Sequence, residues 1–249
     1  MAMGGNLFVL NKWREIIVTK ADAAYKSKGC RVFNLDTVDF AEASHLQSEL
    51  IELRLAGRIP DVILFLQHPP VLTIGAFGGE QNVIISQDVL KREGISIAQT
   101  DRGGDITYHG PGQLVGYPIL DLKARGRDVH RYVHDLEEVV IRTLGDYSIS
   151  GHRDPDYPGI WVGQEKICAM GIRVAHWVTK HGFALNVNND LKPFSYIVPC
   201  GIIDRGVTSM RQLLGQELQL DDVMTSVTRH ISSVFGMNIQ EVMVKQRCP

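Results

Sequence analysis

The sequence predicts an α+β (mixed α/β) single domain. Three observations carry this. Helix-period and strand-period patterns alternate along the chain, and strands follow one another too often for a pure βαβ winding. No internal repeat or low-complexity linker divides the 249 residues, a length that allows one large domain with a real core.

The elements follow in order. Asp39 to Ala56 reads as a helix: Asp39 caps it, Glu42 stands three residues on, and Phe40, Ala43, Leu46, Leu50 and Leu53 form one apolar stripe. Gly57 and Pro60 end it. "DVILFL" and "VLTIG" are buried-strand runs, separated by His68-Pro69-Pro70. A short helix from Ser86 to Arg92 stops at Gly94, and "ISIAQ" is a further strand. "RGGDITYHGPGQLVGYP", Arg102 to Pro118, then places five glycines inside strand-like sequence. Glycine weakens a strand and often marks the close approach of a ligand or another backbone. Asp128 opens the longest helix, with Val129, Tyr132, Val133, Leu136, Val139, Val140 and Leu144 on one side and Gly145 at its close. "GIWVGQEKICAMGIRV" predicts a hairpin turning at Gly163-Gln164-Glu165, "GFALNV" another strand, and Ser209–Leu214 and Asp221–Phe235 two final helices. Residues 1–30 are expected to be a dispensable extension before a single catalytic domain over 31–249. Their basic bias leaves open an organellar transit role, mitochondrial or plastid, against a cytoplasmic expectation.

Composition narrows the function. A net charge of −2 without a Lys/Arg run argues against nucleic acid as partner, and no stretch of 18 apolar residues offers a membrane span. Four cysteines without a CxxC pair suit a reducing compartment and give zinc no support. His130 and His134 are spaced to share a helix face, but the glutamate of HExxH is missing, so no metal is expected. The chain contains no GxxxxGK[ST] and no GxSxG.

Cys200 in "YIVPCGI" is the candidate nucleophile. Pro199 fixes the backbone before it, Gly201 leaves the sulfur open on one side, and the Gly201 N–H could meet a developing oxyanion. A thiol of this kind needs a nearby cation or base. Lys166 is the candidate, on a strand whose alternation places Lys166, Cys168 and Met170 on one face; an exposed lysine at a hairpin end is the plainer reading. His109 and His181, each followed by glycine, are further candidates.

Three segments together resemble the octanoyl-(acyl-carrier-protein):protein octanoyltransferases (lipoyl/octanoyl transferases) of the biotin/lipoate protein ligase superfamily. They are "RGGDITYHGPGQLVGYPILDL", "PGIWVGQEKICAMGIRV" and "HGFALNVNNDLKPFSYIVPCGI", supported by "QHPPVLTIG" and "GVTSM", and the resemblance covers about residues 31 to 236. It implies a biotin/lipoate protein ligase-like catalytic domain, mixed sheets flanked by helices. Cys200 would be the acyl-thioester nucleophile and Lys166 the residue that lowers its pKa. Substrate-binding positions would fall on Arg102, Gly103, Gly104, Asp105, Ile106, Thr107, Tyr108 and His109, on Ala169, Met170 and Gly171, and on Gly182, Phe183 and Ala184. On this reading Gly103, Gly104 and Gly110 form a wall without side chains, bordered by Tyr108 and His109. Cys168, Lys180 and Ala76 depart from the family pattern, and Cys168 is a second site open to acylation or oxidation. The resemblance further implies octanoyl-acyl carrier protein as donor and apo lipoyl domains as acceptors: the glycine cleavage H protein and 2-oxoacid dehydrogenase E2 subunits. It implies no ATP, no metal, and a monomer. The competing readings are an ATP-dependent lipoate or biotin ligase, which has no need of Cys200, and a non-catalytic acyl-binding module.

Overall fold

The computed structural model describes residues 13, 15, 17–19, 29–198 and 205–242. Twelve strands are present among them: β1 (Cys30–Thr37), β2 (Asp61–Gln67), β3 (Val71–Ile74), β4 (Ser96–Gln99), β5 (Ile106–His109), β6 (Gln113–Ile119), β7 (His152–Arg153), β8 (Ile160–Val162), β9 (Glu165–Ala175), β10 (Val178–Asn186), β11 (Gly206–Val207) and β12 (Ile239–Val242). The helices are α1 (Phe40–Leu55), α2 (Gln87–Arg92), α3 (Val129–Asp146), α4 (Met210–Leu214) and α5 (Leu220–Phe235).

A nine-stranded mixed sheet runs β12-β1-β2-β6-β10-β9-β8-β7, with β11 attached to β9. The pair β1–β2 is parallel, and β2, β6, β10 and β9 are successively antiparallel. Both faces are covered, which is why "DVILFL" is apolar without alternation. Val62, Leu64 and Leu66 meet the Ala43–Leu46–Leu50–Leu53 stripe of α1. Ile63 and Phe65 share the opposite core with Leu136, Val140 and Leu144 of α3 and Val227 and Ile231 of α5. A three-stranded sheet, β4-β3-β5, stands apart on its own cluster with Leu90, Tyr196 and Ile197. Trp13 and Ile17 are buried against the α1 core.

Helix starts follow the sequence. The Asp39 carboxylate accepts from the Ala41 N–H at 2.8 Å, and Asp128 caps α3 through the Arg131 N–H at 2.9 Å. Two boundaries differ. Gly145 lies inside α3, which runs on to Asp146, and the Asp146 carboxylate binds Ser226, Arg229 and His230 of α5. β10 begins four residues before "GFALNV", because β9 and β10 form one long hairpin across His176 (φ 52°) and Trp177 (φ 69°). That is the primed-turn region usually given to Asn or Gly, so the sequence carries no turn signal there.

Candidate active site

The glycine-rich stretch is packed first of all by other backbone. The Gly103 N–H donates to Ile172 O at 2.9 Å, tying the loop before β5 to β9. A Cβ on Gly171 would lie 3.0 Å from Gly103 O, and one on Gly75 would lie 2.3 Å from Gly104 O. On the adjoining hairpin Gly171 pairs with Gly182 and Ala169 with Ala184. These alternate positions make a strip of the sheet nearly free of side chains. Over this strip opens a cavity of about 770 Å³.

The positions expected from sequence gather around it. Arg102 to Thr107, His109, Lys166, Ala169 to Gly171 and Gly182 to Ala184 all line the cavity. Tyr108 does not. Alternation along β5 turns its ring into the small-sheet core, edge-on to Phe194 at 5.5 Å. Gly110 is likewise absent from the wall: a Cβ there would meet the Tyr108 hydroxyl at 2.1 Å, so this glycine makes room for a tyrosine.

One end of the cavity is closed by stacked rings. Phe40, the first residue of α1, lies parallel to His109 at 6.1 Å and to His181 at 6.5 Å, and edge-on to His68 at 5.3 Å. Tyr117 stands edge-on to His181 at 6.0 Å. The polar atoms of these rings are turned into the protein. His68 donates from Nδ1 to Val38 O at 2.6 Å and accepts the Tyr117 hydroxyl at 2.8 Å. His109 donates from Nδ1 to Gln113 Oε1 at 2.8 Å. His181, at φ 59°, donates from Nε2 to Asp101 at 2.6 Å. Burial pushes the His68 and His181 imidazoles down to about 4 and that of His109 well below its ordinary value, so all three are neutral at pH 7. Burial works against the Asp101 carboxylate, but the His181 hydrogen bond and the Lys180 charge bring it down to about 2. Lys180, one of the family departures, is thereby a partner of Asp101 at 3.2 Å, and Arg173 is another at 2.7 Å.

A polar chain crosses the cavity base. Arg102 is buried and donates to Thr73 O at 2.6 Å, while the Thr73 hydroxyl lies 3.3 Å from His109 Nε2. Gln113 passes from His109 to Asn186 Oδ1 at 2.9 Å, and Asn186 donates to Thr208 O at 3.1 Å. The Thr208 N–H in turn donates to Lys166 O at 3.0 Å. Asp105 is held by the Asn82 amide at 2.7 and 2.8 Å.

Lys166 stands at the other end. Its ammonium lies 4.8 Å from the centre of the Trp161 ring. The Arg205 guanidinium is 5.0 Å from that ring and 4.8 Å from Tyr157, and is ion-paired with Asp154. Strand β9 carries a bulge here: Ile160 pairs with Cys168 but Trp161 with Lys166, leaving Ile167 as the extra residue. The bulge breaks the alternation that would have put Lys166 and Cys168 on one face. Lys166 and Met170 line the cavity, whereas Cys168 is wholly buried in the α3 core. Burial raises the Cys168 thiol far above its ordinary value, which leaves it inert as a nucleophile. Cys200, with Pro199 and Gly201, lies outside the described residues.

Phe40, Tyr117, Gln113, Asn186, Trp161 and Arg205 also line the cavity, none of them marked as a site residue by the sequence. Gln113, Tyr117, Trp161 and Asn186 stand inside the family-like segments, but Phe40 reads as one more core position of a helix. Among the described residues no group of three His, Cys, Asp or Glu side chains is placed to hold a metal ion. Nor is any helix among them long and apolar enough to cross a membrane.

Residues 39–232 match the family described as lipoyl protein ligase A/B catalytic domain. An octanoyltransferase of Caldicellulosiruptor saccharolyticus is 51% identical over 204 residues, 81% of this chain and 87% of the relative. One from Solibacter usitatus is 49% identical over 212 residues, 85% of this chain and 96% of the relative. Among solved structures, a lipoate-protein ligase A bound with ATP superposes with a TM-score of 0.69 at 19% identity, covering 88% of this chain and 90% of that one. A chain from the bi-partite lipoate protein ligase and E2 lipoyl domain system of Thermoplasma acidophilum gives 0.63 at 16% identity, covering 88% of each chain. Likeness at that identity speaks for the fold alone.

Proposed function

The chain belongs to the octanoyltransferase family of lipoyl protein ligase A/B catalytic domains, and from that premise we propose that it moves an octanoyl group from a carrier-protein thioester to a lysine of an apo lipoyl domain, through a thioester on Cys200. The observation that carries the reading is the cavity itself, lined by Ala169, Gly171, Gly182 and Ala184 of the β9–β10 hairpin, with Lys166 on its half-buried side and the buried, uncharged rings of Phe40, His109 and His181 on the other. Such a cavity suits an unbranched alkyl chain. Burying six methylenes at about 0.8 kcal/mol each contributes roughly 5 kcal/mol, enough to favour octanoyl over short acyl groups.

The steps balance without a nucleotide or a metal. The Cys200 thiol passes its proton to the Lys166 amine, and the thiolate attacks the donor carbonyl. The bond to the carrier sulfur breaks, and the leaving thiolate takes the proton back from Lys166. An acceptor lysine that has lost its ammonium proton to solvent then attacks the Cys200 thioester. Lys166 accepts the proton released as the amide forms and returns it to the departing Cys200 thiolate. Thioester is exchanged for thioester in the first half, so no activation is needed, and one site used twice gives ping-pong kinetics.

The test is transfer from octanoyl-carrier protein to an apo lipoyl domain in nucleotide-free, chelator-treated buffer. Full turnover by the wild type, and loss of at least 1,000-fold in Cys200→Ala (about 4 kcal/mol of barrier), is the expected result. Strict dependence on ATP with free octanoate as substrate would put the chain with the ligases instead.

A further inference from the structure

We propose that Phe40 sets the length of the acyl chain the enzyme accepts, its ring being the wall that the methyl end of the chain meets; the assignment rests on the octanoyl-transfer reading above. The two ends of the cavity are unlike. At the Lys166 end the lining groups Tyr157, Lys166 and Arg205 are half-buried. At the other end Phe40, His109, Tyr117 and His181 are all buried, with at most 5% exposure. From Lys166 to Gly171, with Ile167 taken up by the bulge, is four regular strand steps of about 3.3 Å, roughly 13 Å of sheet. The seven C–C bonds of an octanoyl chain, at about 1.5 Å each, span less than roughly 10 Å. A chain whose carbonyl sits beyond the reach of the Lys166 side chain therefore ends near the Gly171–Gly182 pair. His181 precedes Gly182, and Phe40 lies flat against His181 and His109.

Phe40 is the member of this group that can be resized with least damage to its neighbours. His109, His181 and Tyr117 each hold a hydrogen bond to Gln113, Asp101 or His68, so altering them breaks the network as well as the wall. Phe40 brings only ring surface. It stands at the first position of α1, whose cap is made by Asp39.

The experiment compares Phe40→Leu, Phe40→Ala and Phe40→Trp with the wild type on pantetheine thioesters of 6, 8, 10 and 12 carbons, reading kcat/KM for each length and thermal unfolding for each variant. Each methylene admitted to or shut out of the pocket changes kcat/KM about fourfold. Phe40→Leu and Phe40→Ala are expected to raise the 10-carbon substrate relative to octanoyl by about 15-fold, for two methylenes, and the 12-carbon substrate by at least as much. Phe40→Trp is expected to move the preference toward six carbons. The wild type must itself fall at least tenfold between 8 and 12 carbons. A flat wild-type profile, or an unchanged profile in any folded variant, overturns the assignment and leaves the transferase reading standing. Absence of transfer by the wild type at every length, and from octanoyl-carrier protein run alongside, removes the transferase reading itself.

Discussion

Gly182 has no room for a methyl group: a Cβ there would sit 2.2 Å from Gly116 O and 2.7 Å from Pro118 Cδ. The Gly116 backbone and the rigid Pro118 ring cannot yield as a flexible side chain would, so Gly182→Ala is expected to lose at least about 1–3 kcal/mol in denaturant unfolding. An unchanged midpoint would contradict the packing. Gly116 tells the converse story, because its missing Cβ is replaced by the Phe183 ring, at 2.3 Å from where that atom would be. The density of glycine was plain in the sequence, and so was the idea that something approaches closely. What approaches differs by position: backbone at Gly171 and Gly182, a tyrosine hydroxyl at Gly110, an aromatic ring at Gly116. No pattern in one chain separates these, since each depends on a partner distant in sequence. Lys166 shows the same limit. Its candidacy was legible, but the bulge at Ile167 that parts it from Cys168 is a property of pairing with β8.

The elements themselves were largely legible, because caps and periodicity are local. Asp39 and Asp128 cap the helices they precede, and the apolar stripe of α1 is the stripe that is buried. The β9–β10 turn was not, since His176 and Trp177 occupy left-handed conformations without a turn residue between them. Nor was the reach of α1 into the cavity: its first residue counts toward the core by period and toward the site by position. Ahead of β1, Trp13 and Ile17 pack with Phe33, Leu35 and Leu46. Ile17 is fully buried, so Ile17→Ala is expected to cost about 2–5 kcal/mol by chemical denaturation, and removal of residues 1–28 no less. A truncated chain as stable as the full one would show that this contact contributes nothing.

On the scale of the whole molecule, neutral imidazoles buried at the closed end couple stability to pH. With folded values near 4 against an unfolded value near 6.5, His68 and His181 bind protons more readily in the unfolded chain at every pH between. Their contribution is complete above about 6.5 and is lost as pH falls toward 4, by up to about 1.4 kcal/mol per pH unit for each group. His109 acts in the same direction. Asp101, lowered to about 2, gives up its own contribution only below its unfolded value of 3.8. Thermal unfolding should be level from pH 8 to 7 and fall steadily from 6.5 to 4; a Tm constant across that range would mean the rings are hydrated or charged. The sequence marked His109 and His181 by their following glycines, yet their neutrality follows from burial against α1, which only the assembled fold supplies. The same assembly carries the account of function: a cavity lined by small residues, with Lys166 on one side and Phe40 on the other, and a thioester expected on Cys200. Intact-protein mass spectrometry with peptide mapping, after mixing the chain with octanoyl-carrier protein and no nucleotide, tests that most directly. One octanoyl group is expected, on Cys200, and it disappears when an apo lipoyl domain is added. An unmodified protein beside an intact donor, or an adduct on another residue, would contradict it.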